Sequence, residues 1–459
     1  GKLILTEPLL PGQSITVETP FKVKIPNAKF SRLGHVGQSY MITQWYPKPA
    51  VYDQSGWHVM PYLSQGEFYS EYGSYDVTIS LPENYVVAAT GYLQNESEWN
   101  FINQKIEQTK SKDTFDGTNA FPKSSHVFKT IRFVMDSIHD FAWFADKRFN
   151  IVTTTARLKT GNPVSCYAYF TDANAALWKK AATYVADAVS FYSEKVGPYP
   201  YSICTAVDGT IAAGGGMEYP SITVIGNTSS PIMLDQVIAH EVGHNWFYGI
   251  LGSNERINPW MDEGMNSYYE MRYMTEKYNN STVKAYNALG IGNKTAGFFG
   301  VEHISFTEIS KAYYQFSARF NNDQPGSLSS EFYTPLNYAG VVYSKTALCF
   351  DHLNHYLGEE VFNSCMQTYF NTWKFKHPDK IALQSVFEET AGEKLNWFFN
   401  DLLMTDSKAD FKIKKIRYDK IGSYAIVKNK GNLGITVQLQ LADFSGNELT
   451  KWSQPFKGK

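Results

Sequence analysis

The sequence predicts an α+β protein of several domains, and three observations predict it. The chain is 459 residues long, enough for roughly two or three domains. Its hydrophobic pattern changes from strand-like alternation to helical spacing near residue 160. It returns to alternation from about residue 410. Residues 1–160 are therefore expected to form an N-terminal antiparallel β domain, with its start open to being incomplete. Residues 161–405 are expected to form a mostly α domain with a small sheet, and 406–459 the start of a C-terminal β domain, truncated at Lys459.

The N-terminal elements are short alternating runs. Tyr75-Asp76-Val77-Thr78-Ile79-Ser80-Leu81 and Tyr85-Val86-Val87-Ala88-Ala89-Thr90 read as strands separated by the turn residues Pro82-Glu83-Asn84. Residues 97–127 are polar and poorly periodic, which predicts a long hairpin excursion. Ile151-Val152-Thr153-Thr154-Thr155 reads as the strand that closes this region. Beyond it, Leu177, Ala181, Val185, Val189 and Tyr192 stand at helical spacing between Ala175 and Val196. Further helices are expected near 231–250, 260–277, 343–357, 359–372, 379–391 and 394–404. Short strands are expected near 164–170, 202–207 and 221–225. Alternation resumes at Ala425-Ile426-Val427 and from Ile435 to Leu441.

Composition narrows the function classes. A net charge of −2 gives no field that favours nucleic acid or an anionic membrane. No apolar run reaches the roughly 18 residues that a membrane helix needs. The four cysteines, Cys166, Cys204, Cys349 and Cys365, include no C-x-x-C pair, which argues against a cysteine metal site and leaves the redox compartment open. The chain starts Gly1-Lys2-Leu3 without a signal-peptide pattern. Such a start suits a processed terminus, so a periplasmic or secreted setting is slightly favoured over the cytoplasm.

The chemistry concentrates at His240-Glu241-Val242-Gly243-His244. Residues four apart on a helix share a face. Leu234, Val237, Ile238, Val242 and Phe247 supply the apolar positions of that helix. Two imidazoles and one carboxylate make an open zinc site with a fourth position free. Glu241, next to the first ligand, suits a general base. A carboxylate follows in Asn258-Pro259-Trp260-Met261-Asp262-Glu263-Gly264, where Asn258 can cap a second helix and Pro259 can start it. Eighteen residues separate His244 from Glu263. Asp262 and Glu270 are rival carboxylates that spacing alone leaves open, with contacts to the ligands as their alternative role.

This combination of H-E-x-x-H, the 18-residue spacing and Trp260-Met261-Asp262-Glu263-Gly264 resembles the aminopeptidase N family of gluzincin metallopeptidases, which includes leukotriene hydrolase. Three more segments carry the resemblance. Gly214-Gly215-Gly216-Met217-Glu218-Tyr219-Pro220 is similar to the family's G-x-M-E-N motif. Tyr343-Ser344-Lys345-Thr346 is similar to its Y-x-K-G segment, and Thr43-Gln44-Trp45-Tyr46-Pro47 to its T-Q segment. The likeness runs from about residue 40 to about 405. Three positions depart from the pattern: Tyr219 for Asn, Thr346 for Gly, and Tyr46 where relatives carry Glu or Gln.

The resemblance implies a saddle-like N-terminal β domain and a thermolysin-like catalytic domain. It implies one Zn2+ per chain on His240, His244 and Glu263. Glu241 and Tyr343 would be catalytic, as general base and oxyanion donor. Glu218 would hold the substrate's free α-amine beside Gly215, Gly216 and Met217, with Gln44 and Tyr338 as further pocket residues. The expected activity is removal of N-terminal residues from peptides that carry a free N-terminus. A zinc endopeptidase and a non-catalytic peptide-binding relative are the alternatives. His352 and His355 lack a partner glutamate and read as solvated or capping residues, and the run Lys412-Ile413-Lys414-Lys415 as a solvated strand face.

Overall fold

Antiparallel pairing dominates the N-terminal region, as its alternation predicts. The computed structural model describes residues 1–28, 32–63, 65–118, 120–209, 215–278, 291–302, 304–418, 423–442 and 448–455. Strand Gly73–Pro82 pairs along its length with Phe128–Ile138, with Ile79 opposite Ile131 and Val77 opposite Phe133. Ile79, Leu81, Ile131 and Phe133 fill one face, packed with Val87 and Phe141. A second sheet orders Gly34–Val36, Ser39–Ile42, Trp143–Asp146 and Val86–Ala89 side by side.

Two expectations for this region are corrected. Residues 97–127 are not a plain hairpin excursion, because Glu96–Lys110 is a helix. Its buried residues, Glu98, Ile102, Ile106 and Thr109, stand three to four apart, so a narrow stripe suffices to seat it. Ile102 and Ile106 pack with Ile151 and Tyr169, while buried Glu98 accepts from Lys129 Nζ at 2.7 Å. The other correction concerns the strand around residue 151. Asn150–Arg157 does not close the N-terminal sheets; it pairs antiparallel with Pro163–Phe170.

That hairpin begins a five-stranded sheet. Its order is Asn150–Arg157, Pro163–Phe170, Ile203–Asp208, Ile222–Ile225 and Gly216–Tyr219. The three middle strands run parallel, and Gly216–Tyr219 is an antiparallel edge strand. Helix Ala181–Lys195 packs on the sheet and on helix Pro231–Gly243, and the stretch expected as one helix from Ala175 breaks after Trp178. Between these elements lies an aromatic core that includes Tyr192, Trp246, Phe247, Tyr268 and Tyr269. Helices Met265–Tyr278, Thr346–Leu357, Glu359–Trp373 and Lys380–Ala391 follow, near the expected positions.

Helices Asn293–Phe299 and Phe306–Ala318 were not expected. The second begins with a capping box, in which Ser305 Oγ accepts from the Glu308 amide at 3.1 Å and Glu308 accepts from the Ser305 amide at 2.7 Å. Toward the C-terminus, Phe411–Tyr418 pairs with Ser423–Asn429 and Thr436–Ala442 with Glu448–Pro455. All four cysteines are buried and free. Among the described residues no helix is long and apolar enough to cross a membrane.

Candidate active site

Helix Pro231–Gly243 is fixed by local chemistry. Ser230 caps it by accepting from the Met233 amide at 3.2 Å, and Pro231 occupies its first turn. His240 lies in its last turn and His244 caps its C-terminus, so both imidazoles reach one point. The facing carboxylate, Glu263, comes from the wide π-helical turn Trp260–Gly264. Asn258, expected as a side-chain cap, supplies no side-chain capping bond there. Gly264 lets that turn close against the next one. A Cβ at Gly264 would lie 2.4 Å from both Thr346 Cγ2 and Val342 O. The opposing turn, Tyr338–Lys345, is also π-helical and carries Tyr343. Such widened turns concentrate at functional sites.

The three expected ligand atoms form a triangle. His244 Nε2 lies 3.1 Å from His240 Nε2 and 3.3 Å from Glu263 Oε2, and His240 Nε2 lies 3.2 Å from Glu263 Oε2. A tetrahedral ion with bonds of about 2.0 Å requires ligands about 3.3 Å apart. The triangle fits zinc in size, and two imidazoles with one carboxylate fit it in chemistry. The rival carboxylates take the outer nitrogens instead. Glu270 Oε2 lies 2.8 Å from His240 Nδ1, and Asp262 Oδ1 makes a short contact with His244 Nδ1. Each such contact fixes the imidazole so that Nε2 faces the centre.

The electrostatics favour a cation here. Burial opposes charge on His240, yet its contacts with Glu263 and Glu270 raise its pKa to about 10. Burial likewise opposes charge on His244, and Asp262, Glu218 and Glu263 overcome it. The carboxylates around the two imidazoles thus favour positive charge at the triangle, which a metal ion on neutral imidazoles supplies.

Glu241, Glu218 and Tyr343 share one cavity of about 550 Å³ with the triangle. Burial raises the Glu241 carboxyl to about 7, although His240 and His244 pull it down. Gly216 makes room for it, since a Cβ there would lie 2.5 Å from Glu241 Cγ and 2.6 Å from Oε1. Glu218 is 8% exposed, and its Oε1 has no hydrogen-bond partner among the described residues. Burial pushes its carboxyl well above the ordinary range. Tyr343 donates its hydroxyl to Glu263 Oε1, and burial raises its pKa so that it stays protonated. Glu218, His244 and Asp262 form a second group with donor atoms within 4.8 Å of one another. The His240–His244–Glu263 triangle is the tighter of the two.

Residues 185–402 match the peptidase family M1 domain. This segment belongs to peptidase family M1, the family of aminopeptidase N. The chain is similar to leucine aminopeptidase 2 of Emericella nidulans, at 27% identity over 231 residues, covering 46% of this chain and 34% of that protein. It is similar to leucine aminopeptidase 2-1 of Meyerozyma guilliermondii, at 27% over 169 residues, covering 36% of this chain and 25% of that protein. The chain therefore spans about a quarter to a third of the length of these relatives. The fold resembles Legionella pneumophila aminopeptidase A in complex with aspartic acid, with a TM-score of 0.63, 14% identity, and coverage of 94% of this chain and 45% of that chain. It also resembles an M1 zinc metallopeptidase mutant from Deinococcus radiodurans bound to a Tyr-ser-ala substrate. There the TM-score is 0.52 at 14% identity, covering 74% of this chain and 66% of that chain.

Several expected pocket residues stand apart from the M1 cavity. Gln44 is not among its lining residues; its Nε2 donates to Asp140 Oδ2 at 2.5 Å. Tyr46 donates to Asp140 Oδ1 at 2.9 Å, so the T-Q segment organises around buried Asp140. Met217 turns its side chain into the core behind the edge strand, and Tyr338 packs edge-on behind Tyr343 at 5.7 Å between ring centroids. Gly215 and Gly216 do line the cavity, while Gly214 lies outside the described residues. Tyr219, at the motif's Asn position, is buried against Phe144. Neither His352 nor His355 is among the lining residues.

The N-terminal region reaches the M1 cavity through Arg32 and Glu67 instead. Their ion pair includes Arg32 Nη2 to Glu67 Oε1 at 2.9 Å. The Glu67 segment is anchored by Arg256, which donates to Pro61 O at 2.9 Å and Gln65 O at 3.0 Å, and by Glu255, which accepts from the Phe68 amide. No local motif marks Arg32 or Glu67, because they pair across 35 residues.

Proposed function

We propose that this protein is a zinc aminopeptidase that hydrolyses N-terminal residues from peptides with a free N-terminus. The observation that carries the reading is Glu218 Oε1, buried and without a hydrogen-bond partner among the described residues, in the same cavity as the His240–His244–Glu263 triangle. An uncompensated buried carboxylate is costly, and a substrate α-ammonium compensates it. The distance from Glu218 to the triangle then fixes which peptide bond is cleaved.

His240, His244 and Glu263 would hold the zinc, which when bound supplies Lewis acidity toward the scissile carbonyl and the attacking water. Glu218 orients the substrate by its amine. Glu241 takes the proton from water and passes it to the leaving nitrogen; a carboxyl near 7 suits both transfers at neutral pH. Tyr343 stays protonated, and on turning its hydroxyl from Glu263 Oε1 it donates to the carbonyl oxygen, where negative charge develops. Gly215 and Gly216 leave the edge strand bare, so substrate backbone can approach it.

The test compares a leucyl tripeptide with its N-acetylated twin. The free-amine peptide should be cleaved at its first bond and the acetylated peptide left intact. Equal cleavage of both would favour a gluzincin endopeptidase.

A further inference from the structure

The cavity has a direction. Glu218 groups with His244 and Asp262. Gln236 and Glu270 group with His240: Gln236 donates to Glu270 Oε1 at 2.5 Å, and Glu270 Oε2 lies 2.8 Å from His240 Nδ1. His240 and His244 are successive turns of one helix. The amine-binding carboxylate and Gln236 therefore lie toward opposite ends of the ligand triangle. A peptide anchored at Glu218, with its first carbonyl at the triangle, sends its second residue along the helix toward Met233. By helical rise, Met233 stands about 10 Å from His240.

That end of the cavity carries an apolar wall beside the polar Gln236, Glu270 and Ser310. The His240 helix contributes Val237 and Met233. Phe306, Ile309 and Tyr313 line the cavity from helix Phe306–Ala318. They are three and four residues apart, so they occupy one face of that helix. Phe306 is its first residue, and the Ser305–Glu308 capping box fixes the turn that carries it. Phe306 and Ile309 are half-buried and Tyr313 is 58% exposed, which leaves apolar surface for a side chain to cover. The helix is also close to the Tyr343 turn: a Cβ on Gly340 would lie 3.7 Å from Ser317 Oγ and 3.9 Å from Tyr313 O.

We propose that helix Phe306–Ala318 is the binding wall for the side chain that follows the cleaved bond, and that it selects large apolar residues there. This rests on the aminopeptidase reading for the orientation of the peptide. Contact of that side chain with Phe306 and Ile309 holds the leaving half of the peptide beside Glu241 and Tyr343. Small or charged second residues leave the wall uncovered or bring charge against it.

The experiment measures kcat/KM for tetrapeptides Leu-Xaa-Ala-Gly in which Xaa is Phe, Leu, Gly or Asp. Phe and Leu should exceed Gly by about 10- to 100-fold. Phe306→Ala should compress the Phe-to-Gly ratio several-fold. Ile309→Lys should move the ranking toward Asp by about 10-fold. Each ratio is taken within one preparation, so a partly misfolded fraction cancels, and a reversed preference cannot arise from unfolding. A wild-type ratio near one, or variants that keep the wild-type ranking, overturns the proposal. The same peptides are run with acetylated N-termini. Cleavage of that set removes the amine anchor, and the ranking of the residue after the cut then supports or overturns the wall by itself. Absence of hydrolysis in both sets overturns both readings.

Discussion

Alanine at position 216 should nearly abolish turnover without unfolding the protein. Gly216 sits on the edge strand Gly216–Tyr219, opposite Ile225. An added Cβ would lie 2.5 Å from Glu241 Cγ and 2.6 Å from its Cδ and Oε1. Carbon atoms pack best at about 3.5–4.0 Å, so the carboxylate must retreat by about 1 Å. A displacement of that size at a reacting group costs about 100-fold in rate. The folding cost is small because the clashing atoms belong to a side chain that can swing. Alanine also removes the entropic cost of glycine in a strand, roughly 0.5–1 kcal/mol. Gly216→Ala should therefore keep its melting temperature and one bound zinc while kcat on a leucyl peptide falls about 100-fold. Adding Gly216→Ala to Glu241→Gln should cost little more than Glu241→Gln alone, since both act on one carboxylate. A folded, metal-loaded Gly216→Ala protein with wild-type kcat would refute the placement of Glu241.

Glu241→Gln should retain one zinc by metal analysis and lose about 10²- to 10⁴-fold in kcat; loss of the metal would instead make Glu241 part of the binding set. Glu218→Gln should lower kcat/KM for free-amine peptides about 10- to 100-fold, the effect of one charge-assisted bond. An unchanged value would place the amine elsewhere. Asp262→Ala and Glu270→Ala should each weaken zinc binding about 10- to 100-fold in a chelator competition, and wild-type affinity in both would mean their contacts with Nδ1 are incidental. Arg256→Ala removes the donor to Pro61 O and Gln65 O from a residue 5% exposed. It should destabilise the protein by about 2–4 kcal/mol in denaturant unfolding and raise KM by loosening Glu67.

What the sequence discloses is what local chemistry encodes. The His240 helix is legible because Leu234, Val237, Ile238 and Val242 stand at helical spacing around two histidines four residues apart. Glu263 is marked out from Asp262 and Glu270 by the family resemblance, since spacing alone leaves the three open. Its π-helical turn is not legible, because the widening goes with the close approach of Gly264 to Val342 O and Thr346, far away in sequence. The helix Glu96–Lys110 stayed hidden because one of its four buried positions is Glu98, whose burial requires Lys129 from a strand not yet placed. The helix Phe306–Ala318 does carry a local mark, Ser305-x-x-Glu308. Gln44 shows the opposite case. A motif resemblance pointed it at the substrate, while Asp140 holds it elsewhere and Arg32 and Glu67 supply the N-terminal wall.

The central claim is that one metal on His240, His244 and Glu263 acts on a peptide anchored by its amine at Glu218. A crystal structure of Glu241→Gln soaked with zinc and Leu-Phe-Ala, with anomalous data at the zinc edge, tests it most directly. One anomalous peak should stand about 2.0–2.2 Å from His240 Nε2, His244 Nε2 and a Glu263 oxygen, with the peptide ammonium on Glu218 Oε1. A peak among Glu218, His244 and Asp262, or an ammonium bound away from Glu218, would contradict it.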